Sequence, residues 1–238
     1  MTAAGTDGQR KAQLTLVLLG AVITVVVAAV AILIYALLRE PPETTAAPNP
    51  PAPSTQPAIP ADLTWEPIAG VELPVSRTHG PRITGDGLAK GFSDSELGAA
   101  LAAVHILVRT GSNVGPDIYE PTITQQVTGS NAAAMKVLTD QQYQQLRVAA
   151  GVEDGGPLPG GNAEVLGYRI AAFTDDTATV AVIMTAPDIA GQVLTFDVTL
   201  QRAAEDWQVV APPRGDWGAV ATTLSATPEG MLRYDETG

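Results

Sequence analysis

An apolar run of 25 residues, from Leu14 to Leu38, contains no charged side chain and sets the strongest constraint on the chain. At about 1.5 Å per residue, a helix of this length crosses the roughly 30 Å bilayer core with length left for tilt. The run is longer than the apolar region of a cleaved signal peptide, and it ends in Leu37, Leu38 and Arg39 without a small-residue cleavage site. We therefore predict one transmembrane helix over residues 14–38.

The charges that flank this run predict its orientation. Arg10 and Lys11 precede it, whereas Arg39 on the other side is offset by Glu40. Positive flanks stay in the cytoplasm, so residues 1–13 are predicted to be a cytoplasmic tail. The predicted location is the cell membrane, with a single pass and an extracytoplasmic C-terminal domain.

Small side chains recur every four residues within the predicted span, at Gly20, Thr24 and Ala28. Such a ridge lets two membrane helices approach closely, so these three residues are candidates for association within the membrane. A span rich in Ala and Val also produces this spacing by chance, and both interpretations stay open.

Residues 39–62 are rich in proline, with eight prolines between Pro41 and Asp62 and almost no large apolar side chain. A segment of this composition cannot form a core and behaves as a semi-rigid polyproline spacer. We predict a stalk over residues 39–62 and an outer domain over residues 63–238.

The charge and residue inventory excludes several functions for the outer domain. The residues after the predicted span hold 11 Lys and Arg against 24 Asp and Glu, a net charge of about −13. This charge repels nucleic acid, so no direct nucleic-acid binding is expected. The chain has no cysteine and only two histidines, which excludes disulfides and cysteine-rich or histidine-rich metal sites.

The first periodic pattern of apolar residues in the outer domain is helical. Ser93 and Glu96 form a capping-box pattern that predicts a helix start at Ser93, followed by apolar residues at helical spacing up to Gly111. Two further helices are predicted over 118–127 and 131–150, the second with Met135, Leu138 and Leu146 facing inward. An extended segment before them, from Leu63 to Phe92, is expected to lie on the domain.

Alternation with a period of two follows the helices. It predicts strands over 165–173, 178–186, 192–202 and 207–211, joined by short turns into an antiparallel meander. One face of the third strand is apolar and the other polar, so one face of the sheet is expected to be solvated. The predicted class is α+β, with helices packed on a curved four-stranded antiparallel sheet.

The predicted span, the stalk and an outer domain with the Trp-led last strand Trp207-Gln208-Val209-Val210 form one recognisable organisation. It resembles that of membrane-anchored, nuclear-transport-factor-like proteins, especially those of conjugation and type IV secretion in Gram-positive bacteria. A second set of residues comprises Leu73-Pro74-Val75-Ser76, Gly80-Pro81, Gly91-Phe92 and Gly98-Ala99-Ala100-Leu101-Ala102-Ala103. This stretch is similar to an uncharacterised family found on integrative conjugative elements. The resemblance implies a cone-shaped fold and a non-enzymatic scaffold that holds channel components, with no catalytic or cofactor residues to carry over.

Residues of catalytic type are few, and each has a structural interpretation. His105 lies on the Ala-rich helix and is expected to pack, His79 is expected on a surface loop, and Asp197 is expected on a solvated strand face. No Gly-x-Ser-x-Gly elbow is present, and the acidic pairs 153–154 and 175–176 lack calcium-loop spacing. The tripeptide 214–216, Arg-Gly-Asp, is explained by a turn. We therefore predict no catalytic, cofactor or metal residues.

Gln141, Gln144 and Gln145 form a candidate partner surface, because uncharged polar side chains lose water more cheaply than carboxylates. An ordinary solvated helix face is the alternative interpretation. The function predicted first is an envelope assembly scaffold, part of a conjugative transfer apparatus, that binds other envelope proteins or itself as a homo-oligomer. A ligand-binding or isomerase-like envelope enzyme of the same fold and an accessory subunit of a lipid-import system remain alternatives.

Overall fold

Two short β-hairpins precede the first helix in the computed structural model, which describes residues 62–159, 163–189, 191–204 and 206–234. Strands β1 (Leu63–Ile68) and β2 (Val71–Ser76) form the first hairpin, and β3 (Ile83–Gly85) and β4 (Leu88–Lys90) form the second. Their two-residue turns, 69–70 and 86–87, have positive φ at both positions, as type I′ turns require. The predicted extended segment is therefore folded into hairpins.

The described residues contain three α-helices, of which the first packs on the main sheet and the third packs mainly on the second. They are α1 (Glu96–Arg109), α2 (Pro116–Gln126) and α3 (Ala132–Ala150). Helix α1 begins after Ser95, whose side chain accepts a hydrogen bond from the Gly98 N–H, so the predicted cap at Ser93 was wrong by two residues. Gly151 ends α3 in the left-handed conformation, the position where glycine is favoured.

Seven strands form the main sheet. Their bounds are β5 (Val127–Thr128), β6 (Glu164–Phe173), β7 (Thr177–Thr185), β8 (Val193–Ala203), β9 (Asp206–Val210), β10 (Ala221–Leu224) and β11 (Leu232–Arg233). Strands β6 to β9 are the long ones, and the order in the sheet is β11-β6-β7-β8-β9-β5, with β10 also paired to β8.

The predicted four-stranded antiparallel sheet, and with it the nuclear-transport-factor-like cone, was wrong. Strands β6 to β9 do form the predicted antiparallel meander, but β5 pairs parallel to β9, which makes the sheet mixed. The three strands that the prediction missed are two to four residues long, which is too short to show a period of two. Their pairing depends on contacts between distant parts of the chain.

The main core lies between α1 and the sheet. Thirteen of the fourteen residues of α1 are buried, since its alanines let the helix axis approach the strands closely. The strands contribute a row of inward valines and leucines in register, in which Ala178 pairs with Leu200 and Val180 with Val198. Each of these side chains is at most 2% exposed.

The other face of the sheet is also partly covered, in contrast to the predicted solvated face. Ala181, Ile183 and Val193 are buried there, packed against partly buried side chains of the neighbouring strands and of the C-terminal segment. Strand β7 is consequently buried on both faces between residues 180 and 184. The apolar run in its sequence follows from this burial.

The predicted span 14–38, with Gly20, Thr24 and Ala28, and the predicted stalk up to residue 61 lie outside the described residues. Within the part of the chain that the structure describes, no helix has the length and apolar character needed to cross a membrane.

Candidate functional site

The outward side of α3 carries an uncharged stripe. Met135, Thr139 and Tyr143 point into the domain at a spacing of four residues. A helix turns about 100° per residue, so the opposite side presents positions spaced alternately by three and four. We call these residues the outer stripe, and all of them are exposed: Ala134, Val137, Gln141, Gln144 and Val148.

Two members of the outer stripe are large apolar residues in contact with solvent. Val137 is 56% exposed and Val148 is 70% exposed, the latter the highest value among the exposed large apolar residues of the described chain. Leu146, which was predicted to face inward, is also half exposed. Exposed apolar residues are common singly. These two lie about 16 Å apart along the helix and are joined by uncharged side chains on the same face.

The charges of α3 are confined to one flank of the helix. The Lys136 ammonium lies 3.1 Å from the Glu120 carboxylate and 2.9 Å from the Asp140 carboxylate. The hydrogen bond to Asp140, together with that to Glu120, raises the pKa of Lys136, against the smaller effect of burial. Arg147 lies 3.3 Å from Asp154. The outer stripe itself contains no charged residue, and the flanking charges of Asp154 and Arg147 contact it at Gln144.

The structure places the three predicted partner residues on or beside this stripe. Gln141 and Gln144 belong to it, and Gln145 is exposed at its edge. The Gln144 amide is held in place, since its Nε2 donates to Asp154 at 3.2 Å and its Oε1 accepts from Arg147 at 2.6 Å. Val137 and Val148 were not predicted to belong to this surface, although their spacing from Gln141 and Gln144 indicates a common helix face.

Close packing on its inner side fixes α3 to the domain. The Tyr143 hydroxyl donates to the Gly156 carbonyl at 2.9 Å and accepts from the Gly155 N–H at 2.9 Å. Gly215 approaches the start of α3 so closely that a Cβ there would lie 2.2 Å from the Met135 nitrogen. The Arg-Gly-Asp tripeptide 214–216 is thus a packing turn, and the outer stripe is carried by a rigid element.

His105 is fully buried, in agreement with its predicted packing role. Its Nε2 lies 2.9 Å from the Pro74 carbonyl, so Nε2 carries the proton and donates. Burial, with a smaller effect of the Arg109 charge, lowers the pKa of His105 to about 3 against the opposing effect of the Pro74 bond. The side chain is therefore neutral near pH 7 and tied to β2, with no exposed face for a substrate.

His79 is half-buried, although it was predicted on a surface loop. Its Nδ1 lies 3.0 Å from the Ser93 hydroxyl and 3.1 Å from the Ser95 hydroxyl, and these hydroxyls are 2.7 Å apart. Ser95 is the cap of α1, so this cluster fastens the loop after β2 to the helix start. The residues lie 14 and 16 positions apart, and no local motif in the sequence indicates their contact.

Two surface grooves bear on the ligand-binding alternative. The first, of about 470 Å³, is mainly apolar and lies where the β1–β2 hairpin meets β6 rather than between sheet and helices; Trp65, Glu72, Glu164, Val165, Leu166 and Arg233 line it. Beside it, Trp65 packs edge-on against Tyr234, and burial raises the pKa of the Tyr234 hydroxyl well above its ordinary value. The second groove, of about 380 Å³, is more polar and includes Arg82 and Lys90.

Asp197 is exposed on β8, opposite Ala181 of β7, as predicted for a solvated position. In the described ranges of the chain, no three His, Asp or Glu side chains are grouped so that they could hold a metal ion.

The fold and this surface define an α+β domain with a mixed sheet and an exposed helix. The chain belongs to the family described as "Domain of unknown function (DUF8175)", which matches residues 36–230. The match includes the predicted stalk as well as the described domain. Comparison with curated proteins and with solved structures gives no match.

Proposed function

We propose that the protein is a membrane-anchored, non-enzymatic assembly protein of the cell envelope, which contacts its partners through the outer stripe of α3. The observation that supports this proposal is the lack of charge along that stripe, on a chain with a formal net charge of −12. A solvated helix face ordinarily carries charges, whereas the centre of a protein interface is depleted of them. In this proposal residues 14–38 form the anchor and residues 39–62 set the reach of the domain.

The proposed setting is a conjugative transfer apparatus related to type IV secretion. Its support is the resemblance of the stretch from Leu73 to Ala103 and the order of predicted anchor, stalk and outer domain. Because the sheet is mixed and has seven strands, the fold itself does not support this setting. The residues of the stretch are mostly internal: Leu73 and Leu101 are 0% exposed. The resemblance of this stretch therefore concerns core residues, and the outer stripe is what supports the assembly role.

A ligand-binding function is the second candidate, favoured by the apolar groove beside Trp65. Its volume of about 470 Å³ falls within the range of small-molecule pockets, roughly 300–1,000 Å³. The groove and the outer stripe lie on different elements, so substitutions at Trp65 and at Gln141 separate the two functions. A loss of function on Trp65→Ala alone, in a folded protein, favours the ligand-binding candidate.

The test of the assembly proposal is site-specific photocrosslinking of the full chain in the membranes of its native host. A photoreactive residue at Gln141 is expected to give discrete adducts with envelope proteins or with the chain itself. The matched control is the same residue at Thr124, which is exposed on α2. Equal adduct patterns at the two positions would contradict the proposal.

A further inference from the structure

We infer that the apolar groove beside Trp65 binds a small amphipathic cation, in which an apolar body carries a protonated amine or a quaternary ammonium. The inference rests on the second candidate function, because it names the class of ligand for the groove invoked there. It does not depend on the assembly role, since the β1–β2 hairpin, β6 and β11 line the groove, whereas the outer stripe lies on α3.

Trp65 offers an aromatic surface that is held in a fixed orientation. Its indole is 43% exposed, whereas Trp207 is 1% exposed and Trp217 is half-buried. The indole plane stands at 88° to the ring of Tyr234, with 6.3 Å between the ring centroids, and Tyr234 packs in turn on Tyr168 at 5.2 Å. Both tyrosines are buried. The exposed part of the indole is therefore preorganised, and indole is the side chain whose face attracts cations most strongly.

The register of the first hairpin places a carboxylate beside this indole. Trp65 pairs with Pro74, and Pro67 pairs with Glu72. Paired residues share a face of an antiparallel hairpin and side chains alternate along each strand, so Trp65 and Glu72 are diagonal neighbours on one face. Such neighbours lie roughly 7–8 Å apart. A cation between them contacts the indole and the carboxylate together.

The groove carries an excess of negative charge. Glu164 lines it from β6, so two carboxylates are present against one guanidinium, that of Arg233. Both carboxylates are exposed, and neither forms an ion pair with another residue in the described ranges. The formal net charge of the chain, −12, adds to the attraction for a cation and to the repulsion of an anion. Charge complementarity therefore selects a cationic ligand.

The other lining residues determine the second part of the ligand. Val165 and Leu166 line the groove along β6, and its volume of about 470 Å³ is large enough for an organic molecule. An apolar body removes these side chains from water, which a hydrated inorganic cation does not. The ligand is therefore amphipathic, with its apolar body on Val165, Leu166 and the indole and its ammonium group toward Glu72 and Glu164.

Three probes that share one apolar body test this inference: phenethylamine is cationic, phenethyl alcohol is neutral and hydrocinnamate is anionic. The full-length chain, solubilised in an uncharged maltoside detergent, is labelled with fluorotryptophan and observed by fluorine NMR. It contains three tryptophans, and loss of one signal in Trp65→Phe assigns that of Trp65. We expect phenethylamine to shift this signal with an affinity at least about fivefold higher than that of the alcohol, and hydrocinnamate to bind most weakly.

A substitution of the same shape tests the role of the carboxylate. We expect Glu72→Gln to weaken phenethylamine binding at least about threefold and to change binding of the alcohol by less than about twofold, because the alcohol has no charge to pair. The matched control is Asp197→Asn, which alters the net charge by the same amount on exposed β8. We expect this control to bind all three probes as the unaltered chain does.

Each other outcome overturns the inference in a distinct way. Equal affinity for the three probes, or tightest binding of hydrocinnamate, would show a groove that binds ligands without selecting cations, so the second candidate function would stand alone. No shift of the Trp65 signal with any probe would overturn the inference and that candidate function together. An equal loss of phenethylamine binding in Asp197→Asn and Glu72→Gln would assign the preference to the net charge of the chain and not to the groove.

Discussion

The carboxylate of Asp206 accepts a hydrogen bond from the backbone N–H of Gly91 at 2.8 Å, joining residues 115 positions apart. The same carboxylate also accepts from the N–H groups of Phe92, at 3.2 Å, and Trp207, at 2.9 Å. The Trp207 indole N–H donates to the Ser93 carbonyl at 3.0 Å. These bonds fasten the start of β9 to the segment that leads into α1, and so hold the first helix on the sheet.

Replacing Asp206 tests this connection. Asp206→Ala leaves three N–H groups without their acceptor, and we expect a loss of about 2–3 kcal/mol in the free energy of unfolding, since hydrogen bonds to charged groups contribute roughly 1.5–3 kcal/mol. Asp206→Asn is expected to lose less, because its amide oxygen still accepts. Urea unfolding measures both. Asp197→Asn, exposed on β8, is the control and should change stability by less than about 0.5 kcal/mol; an equal loss there would refute the assignment.

Replacing Gly98 by Ala tests the packing at the start of α1. Close packing predicts a loss of stability, whereas helix propensity predicts a gain. Alanine in place of glycine inside an open helix stabilises by up to about 1 kcal/mol. A Cβ at Gly98, however, would lie 2.1 Å from the Ser93 carbonyl oxygen. We expect Gly98→Ala to destabilise by about 1–3 kcal/mol, as overpacking does. The control is Gly85→Ala, where the added Cβ meets no atom within 4 Å. A higher urea midpoint for Gly98→Ala would contradict the close contact.

The lowered pKa of His105 predicts that the stability of the fold depends on pH. Its pKa is about 3 in the folded chain, against the ordinary histidine value of 6.5 in the unfolded chain, so the unfolded chain binds a proton first as the pH falls. Stability is therefore unaffected above about pH 6.5 and decreases between 6.5 and 3, with a slope of up to about 1.4 kcal/mol per pH unit. His105→Gln should lower stability at pH 7.5 but remove this slope. Parallel denaturation curves of both proteins from pH 7.5 to 5.0 measure the difference, and equal slopes would show that His105 is not the group responsible.

The long elements of this fold show a periodic pattern in the sequence, whereas the short ones do not. Helix α3 and the strands β6 to β9 are long enough for a period to emerge, and they were predicted within a few residues. The two-residue strands β5 and β11 exist only because distant segments pair with them. At the candidate site, the helical spacing of Gln141, Gln144 and Val148 is visible in the sequence, whereas the 70% exposure of Val148 and the burial of Tyr143 are seen only in the structure.

The predicted topology of the anchor has its own test. Arg10 and Lys11 before the apolar run predict that residues 1–13 lie in the cytoplasm and the outer domain outside. Single cysteines at Thr2 and Ser54 should then differ in intact cells: a membrane-impermeant thiol reagent should label Ser54→Cys and leave Thr2→Cys unlabelled. Labelling after cell lysis is the control for reactivity. The reverse pattern in intact cells would place the domain in the cytoplasm and remove the envelope setting.

The most direct test of the assembly role replaces Gln141, Gln144 and Gln145 together by Glu in the full chain. Gln144→Glu loses the hydrogen bond to Asp154 but keeps the one from Arg147, so the melting temperature should fall by no more than about 4 °C. Three charges per copy should nevertheless abolish crosslinking to partners and reduce conjugative transfer where the host supports it. His105→Ala and Asp197→Ala should affect function only as far as they affect folding. Loss of function in a folded His105→Ala or Asp197→Ala variant, with normal function of the glutamate variant, would contradict the account.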